Sequence, residues 1–233
     1  MQENLTDAGR PDQPACQPPH HQMPFVRIEL VVMTIGNKGL IVLQGQREVM
    51  PFAGQWALPG GVLRIDLDCD LDDAAQRVAT ERLGVRLPNL RQLRAVGGVM
   101  RDPRAPWALS ILYRALVVPE AVAVSAGKRL THLRWCAVEA AANDESLAFD
   151  HARLIRQAAE ETRAEIETLT FPEGSLPAQF TLSELQAICE KVLGRHLDKA
   201  SFRQRLEHRN RVEPIVGSKR KGAYRPAQLY RLR

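Results

Sequence analysis

The sequence predicts an α/β domain followed by a winged helix-turn-helix. Three observations predict it. Over roughly residues 24–170, strands of alternating polarity are interspersed with stretches of helical period. Two short capped helices and two strands close the chain. Positive charge is concentrated in that closing segment: residues 170–233 hold 13 Lys/Arg against 6 Asp/Glu, net +7, which leaves 19 basic and 21 acidic residues, net −2, in the first 169. Such asymmetry attaches a polyanion-binding module to a near-neutral one. With 45% apolar and 25% charged residues, the chain is neither collagenous, coiled-coil nor mostly disordered. No uncharged apolar stretch approaches the roughly 18–20 residues that span a bilayer, so no membrane partner is expected. The four cysteines, Cys16, Cys69, Cys136 and Cys189, lie far apart without a CxxC pair. Neither a zinc knuckle nor a disulfide framework is supported, and a reducing, cytoplasmic setting is expected.

Residues 1–23, rich in Pro and Gln, read as a disordered leader. They lack a basic region followed by an apolar one, so they do not read as a signal peptide, and His20-His21 reads as a solvated pair. Val26, Ile28, Leu30 and Val32 alternate as a strand. Gly36-Asn37-Lys38-Gly39 turns it, and residues 40–43 return. A loop covers residues 51–54. A helix is expected over 71–83, with Asp72 and Asp73 at its start, Gly84 after it, and Leu71, Ala74, Ala75, Val78, Ala79 and Leu83 as its apolar stripe. Residues 109–118 and 133–138 read as strands. A long helix spans 149–169 with Leu154, Ile155, Ala158, Ala159, Thr162 and Ile166 inside, and residues 171–175 break it. These boundaries divide the chain into residues 24–148, a linker helix over 149–171, and residues 172–233.

Residues 54–85 read GQWALPGGVLRIDLDCDLDDAAQRVATERLGV. They resemble the Nudix box of the pyrophosphohydrolases, in which a glycine is followed by five residues, a glutamate, seven residues, and R-E-U-x-E-E-x-G-U with U apolar. In that motif, glutamates three and four residues apart share one helix face. They hold hard divalent cations that bridge a diphosphate and activate water. Arg77, Glu81 and Gly84 keep the pattern here, but Val78 and Arg82 replace two glutamates and Cys69 replaces a third. The loop after Gly61 is also two residues longer than the pattern. The cluster Asp66, Asp68, Asp70, Asp72 and Asp73 reads as a solvated loop and helix start rather than a replacement metal site. The resemblance therefore implies a Nudix-like α/β/α sandwich without catalytic residues, metal or cofactor. Candidate effector-binding residues are Arg47, Gly60, Gly61, Arg77, Glu81 and Arg101, with Arg82 beside them. Glycines admit phosphate close to the backbone, and guanidinium forks pair with its oxygens. Trp56 reads as core.

In the last segment, Thr181 or Ser183 caps a helix, with Glu184 in capping-box register with Thr181; Leu182, Leu185, Ile188, Cys189 and Val192 line its inner side, and Gly194 stops it. Asp198 caps a second helix over 199–209, buried at Phe202 and Leu206. Its exposed Lys199, Ser201, Arg203, Gln204, Arg205, His208 and Arg209 are donors suited to base edges and phosphates. Residues 212–216 and 228–232 read as strands around a basic loop, 217–222, that presents Lys219, Arg220 and Lys221, with Arg225 just beyond.

The strings of residues 180–206 and 225–232, and the Leu147-Ala148-Phe149-Asp150-His151 run, resemble the Nudix-related transcriptional regulators of the NrtR family. The resemblance runs from about residue 24 to the end. It implies a dimeric repressor of NAD or nicotinate genes that binds a palindromic double-stranded DNA operator. The implied effector is ADP-ribose or a related nucleotide, without appreciable hydrolysis. Two alternatives stay open: an active Nudix pyrophosphohydrolase with a nucleic-acid-binding tail, and a Nudix-fold regulator that senses a sugar.

Overall fold

In a computed structural model, residues 23–118, 122–172, 174–220 and 226–233 are described. The leader, Lys221 and Arg225 lie outside them. β1 (Phe25–Gly36) and β2 (Gly39–Arg47) form the expected hairpin, and β3 (Trp56–Ala57) and β4 (Gly60–Val62) follow. The helix α1 (Leu71–Leu83) precedes a second hairpin of β5 (Arg91–Asp102) and β6 (Ala105–Leu116). Then come β7 (Leu130–Ala137), the short α2 (Val138–Ala141) and α3 (His151–Glu167). The last segment holds α4 (Leu182–Leu193), α5 (Lys199–Arg209), β8 (Val212–Arg220) and β9 (Ala227–Leu232).

Seven strands form one mixed sheet, with the path β3-β2-β1-β6-β5; β4 also pairs β1 and β7 also pairs β2. β1 and β2 pair only from Met33 and Val42 to the turn. Beyond that point they part, and the chain of β3 and β4 fills the gap, β3 on β2 and β4 on β1 at Arg27–Glu29. A cleft opens along this split.

Alternation along β1 divides the core. Ile28, Leu30 and Val32 pack with the buried stripe of α1, Ala74, Ala75, Val78, Ala79 and Leu83. Val31 and Met33 pack on the opposite side with Leu154, Ile155, Ala158, Ala159 and Ile166 of α3. The result is the α/β/α sandwich. Leu185, Cys189 and Val192 of α4 and Phe202 and Leu206 of α5 belong to that second cluster, so the winged helix shares a core with the sandwich. Burial pushes the Cys189 thiol up to about 12, which leaves it a small hydrophobe. No described helix is long and apolar enough to cross a membrane.

Three expectations need correction. Residues 91–102 form β5, a strand absent from the sequence reading. It lies at the edge of the sheet with mostly exposed side chains, so burial imposes no period on its sequence. Val138 opens α2 rather than ending β7. Finally, β8 continues through the expected basic loop to Arg220. Register slips between Pro214 and Lys219, and the Gln228 amide donates to the Ile215 and Ser218 carbonyls across the slip. Lys219 and Arg220 therefore sit on a strand that pairs with Gln228 and Ala227, not on a loop tip.

Candidate effector cleft and nucleic-acid interface

The cleft is built where β1, β2 and β4 meet. Alternation places Arg27 and Glu29 on one face of β1, directed toward the start of α3. There the Arg27 Nε donates to Glu29 Oε1 at 2.6 Å, and His151 Nε2 lies 3.7 Å from Glu29 Oε2. The Leu58 amide donates to His151 Nδ1 at 2.9 Å, which assigns the ring proton to Nε2, facing the carboxylate. Burial raises the Glu29 carboxyl, but Arg27 and His151 together outweigh it and hold the group down at about 2. Gly60 is opposite Glu29 in the register, and a Cβ there would stand 1.9 Å from Glu29 Oε2. Only glycine fits above this buried carboxylate.

Around that centre stand five guanidinium groups: Arg27, Arg47, Arg82, Arg104 and Arg129 line one cleft with Gly60, Gly61 and Leu58. No carboxylate is among its lining residues. Three of the arginines stack near the Phe149 ring, Arg47 at 5.0 Å, Arg27 at 5.3 Å and Arg104 at 5.9 Å from its centroid. Phe149 holds that place with a left-handed backbone, φ 58°, just before α3. Burial first, then the charges of Arg27 and Arg104, pull the Arg47 guanidinium down to about 10. Arg27 is paired with Glu29 and Arg104 with Asp102, whereas Arg47 and Arg129 make no ion pair among the described residues and Arg82 stands 3.8 Å from Glu81, so the cleft keeps a positive charge that an incoming anion relieves.

Arg47, Gly60 and Gly61 lie in this cleft. Arg77 does not line it. Its guanidinium is closed bidentately on Asp68 at 2.5 and 2.8 Å and also reaches the Val62 carbonyl and Glu81. Arg101 is likewise bound bidentately to Asp150 at 3.0 and 2.8 Å, in the adjoining depression. Glu81 faces Arg77, Arg82 and Lys128. Arg82 does face the cleft. Its Nε donates to the Gly60 carbonyl at 2.8 Å and its Nη1 to the Lys128 carbonyl at 3.0 Å. Arg27, Arg104, Arg129 and Phe149 escaped the sequence reading as cleft residues, because only the fold brings them beside Gly60. The Phe149 run was flagged by resemblance alone. Trp56 is partly buried against the core, with Arg134 stacked 4.1 Å above its ring.

A divalent-cation site of the Nudix kind does not fit these residues. Val78 is fully buried, and its methyl would touch a Cβ at Gly61, so it is a packing residue of α1. Arg82 occupies the last of the helix glutamate positions with a positive charge. The Asp cluster is committed elsewhere: Asp70 caps α1, Asp68 binds Arg77, Asp66 binds Arg64, and Asp72 accepts from the Tyr113 hydroxyl. Among the described residues no group of three or more His, Cys, Asp or Glu is placed to hold a metal.

In the winged helix, Thr181 and Glu184 make the capping box at 3.2 and 2.8 Å. Gly194 ends α4 in the left-handed region at φ 67°, and Asp198 caps α5. Phe202 and Leu206 fix the inner face of α5. At 100° per residue Gln204 points directly outward with Ser201 beside it, while Arg203 and Arg205 lie on opposite flanks of the helix, all exposed. Lys199 and Arg209 are exposed at the two ends. Arg205 differs: it turns back and donates to the Glu167 carbonyl at the end of α3. Arg220 pairs with Glu184 at the start of α4.

Comparison with known proteins adds the following. Residues 26–158 match the NUDIX domain family model, and residues 174–232 match the NrtR DNA-binding winged helix domain. The chain is 35% identical over 208 residues to the ADPR responsive transcriptional repressor NtrR of Acinetobacter baylyi, covering 89% of this chain and 82% of that relative. It is similar to the crystal structure of Shewanella oneidensis NrtR complexed with a 27mer DNA, at 32% identity and TM-score 0.73, covering 89% of this chain and 93% of that one. The NUDIX domain of Shewanella oneidensis NrtR complexed with ADP ribose matches at 30% identity and TM-score 0.56, covering 63% of this chain and 94% of that one.

Proposed function

The chain belongs to the NrtR family of Nudix-related transcriptional regulators, and we propose that it is a DNA-binding repressor that responds to ADP-ribose. The observation that carries the effector assignment is the cleft of five arginines around Gly60, with no carboxylate in its lining. A diphosphate supplies two negative charges and a ring of acceptor oxygens, the complement of that cleft. Arg47, Arg82 and the Gly60-Gly61 backbone are assigned to the diphosphate, with Arg27, Arg104 and Arg129 completing the field. Arg77, Glu81 and Arg101 shape the cleft from outside through Asp68, Val62 and Asp150. Gln204, Ser201 and Arg203 are assigned to base edges, and Lys199 and Arg209 to phosphates. The regulated genes are those of NAD or nicotinate metabolism, and the protein works in the cytoplasm, as a homodimer on a palindromic operator.

Hydrolysis is not part of this function. The reaction needs carboxylates that hold a metal, and α1 offers Val78 and Arg82 there. Two measurements on the full chain test the assignment. With ADP-ribose and magnesium or manganese, AMP release should be absent or far below the usual enzymic range of about 1–1,000 per second. By linkage, ADP-ribose should change operator affinity by the same factor as operator changes ADP-ribose affinity. Fluorescence anisotropy of labelled operator reads the first factor and calorimetry the second. Robust AMP release, or operator affinity indifferent to saturating ADP-ribose, would overturn the assignment.

A further inference from the structure

We propose that Arg82 takes the place of the divalent cation on this scaffold, so that the cleft holds the diphosphate of its effector by guanidinium groups alone. The inference rests on the assignment of ADP-ribose to the cleft and adds the means by which it is held.

Four observations meet at this residue. Arg82 stands at the position where the Nudix pattern has a glutamate, one residue after the surviving Glu81. Its side chain is buried to about the floor of the cleft, with 10% exposure, beneath the Gly60-Gly61 strand. Its two hydrogen bonds go to neutral acceptors, the Gly60 and Lys128 carbonyls, which fix the plane of the guanidinium without cancelling its charge. Its nearest carboxylate oxygen, on Glu81, is 3.8 Å away. Nη2 has no hydrogen-bond partner among the described residues and lies 3.7 Å from where a Gly61 Cβ would be, on the side of that glycine that packs on Val78. Arg77, by contrast, spends its charge on Asp68.

The chemistry follows from these contacts. A metal bridges diphosphate oxygens by offering a concentrated positive charge that carboxylates hold in place. Here two carbonyls hold a guanidinium in place, and its free edge offers donors in the fork geometry that suits phosphate. Arg47, Arg104, Arg27 and Arg129 surround it in the same cleft. With Arg27 paired to Glu29 and Arg104 to Asp102, the remaining charge of Arg47, Arg82 and Arg129 disfavours a divalent cation and favours an anion. A fixed charge of this kind also binds without polarising water for attack, which suits a receptor that must not consume its effector.

Isothermal titration of ADP-ribose into the full chain tests this, in buffer with EDTA and in buffer with millimolar magnesium. The dissociation constant should agree within about twofold between the two, and inorganic pyrophosphate should compete in both. Arg82→Gln, which keeps a donor toward the carbonyls but removes the charge, should weaken ADP-ribose binding by about 10- to 100-fold in EDTA. Arg82→Glu should abolish binding in EDTA and regain part of it when manganese is added. Operator binding without ligand checks that each variant is folded. Wild-type binding that requires magnesium overturns the inference and leaves the ADP-ribose assignment standing, as does metal-free binding that Arg82→Gln leaves unchanged. No binding by wild type in either buffer removes the assignment itself. The comparison on wild type decides metal dependence even if both variants fail to fold.

Discussion

Glu29 shows how one residue can organise a cleft from beneath it. It is a fully buried carboxylate, held by Arg27 and facing His151, under a glycine that no larger residue can replace. Its carboxyl lies at about 2 in the folded chain against 4.5 ordinarily, because Arg27 and His151 outweigh the cost of burial. A depressed carboxylate stabilises the fold above the ordinary value and loses that contribution as pH falls toward the folded one. Stability should therefore decline between about pH 4.5 and pH 2, by on the order of 3 kcal/mol from this group. Glu29→Gln should be less stable at neutral pH and show a flatter decline through that window, measured by urea denaturation at a series of pH values. Equal slopes for the two proteins would show that Glu29 is not the group that titrates. None of this was legible in the sequence, where Glu29 is one acidic residue in an apolar strand. Arg27, Arg104 and Arg129 were equally silent, since their meeting depends on β1, the β5–β6 hairpin and the segment before β7 folding together. That Gly60, Gly61 and Arg47 line the cleft was legible because a glycine pair and a loop-flanking arginine leave local traces. Arg77 stood out by motif position, yet its charge is spent on Asp68, a partner nine residues away whose role depends on how the long loop folds back.

At the scale of elements, legibility followed local chemistry. α1, α4 and α5 were bounded correctly because side chains within one turn decide where each starts and stops. β5 was missed because an edge strand answers to its neighbour β6 rather than to its own side chains. The bulge in β8 was missed because Gln228, on the partner strand, satisfies its carbonyls. The caps matter energetically as well as descriptively. The capping box at Thr181 satisfies two backbone donors and positions Glu184, which in turn receives Arg220 of the wing. Thr181→Ala removes the acceptor for the Glu184 amide and should cost about 1 kcal/mol of stability. Thr181→Ser, which keeps the oxygen, should cost much less. Thermal denaturation of both variants checks the difference, and equal losses would mean that the threonine methyl, not the cap, stabilises α4.

Across the whole molecule, α3 is the connecting element. Its start contributes Asp150 and His151 beside the cleft, and its 17 residues span about 25 Å. Its end receives Arg195 on the Glu167 carboxylate and Arg205 on the Glu167 carbonyl, while Arg163 reaches the Val192 carbonyl of α4. The recognition helix α5 is thereby fastened to the effector domain through Arg205, which separates the two arginines that the sequence presented as equivalent. Arg203 and Arg205 are exposed on opposite flanks of α5, and Arg205 lies on the flank nearest α3. Two copies related by a twofold axis would place their α5 helices about 34 Å apart, or a multiple of that, on a palindrome. In that setting Arg203→Ala should cost about 1–3 kcal/mol per base contact and relax preference at one position in each half-site. Arg205→Ala should leave base preference intact and act on stability or on the response to ADP-ribose. Arg209→Ala should weaken operator and scrambled duplex alike and flatten the salt dependence by about one unit per lost phosphate contact in each subunit. Gel-shift titrations of the three variants, on both duplexes over a salt series, separate these outcomes. If Arg205→Ala relaxed sequence preference while Arg203→Ala did not, the fastening of Arg205 to α3 would have to open when DNA binds, and the roles of the two residues would be exchanged.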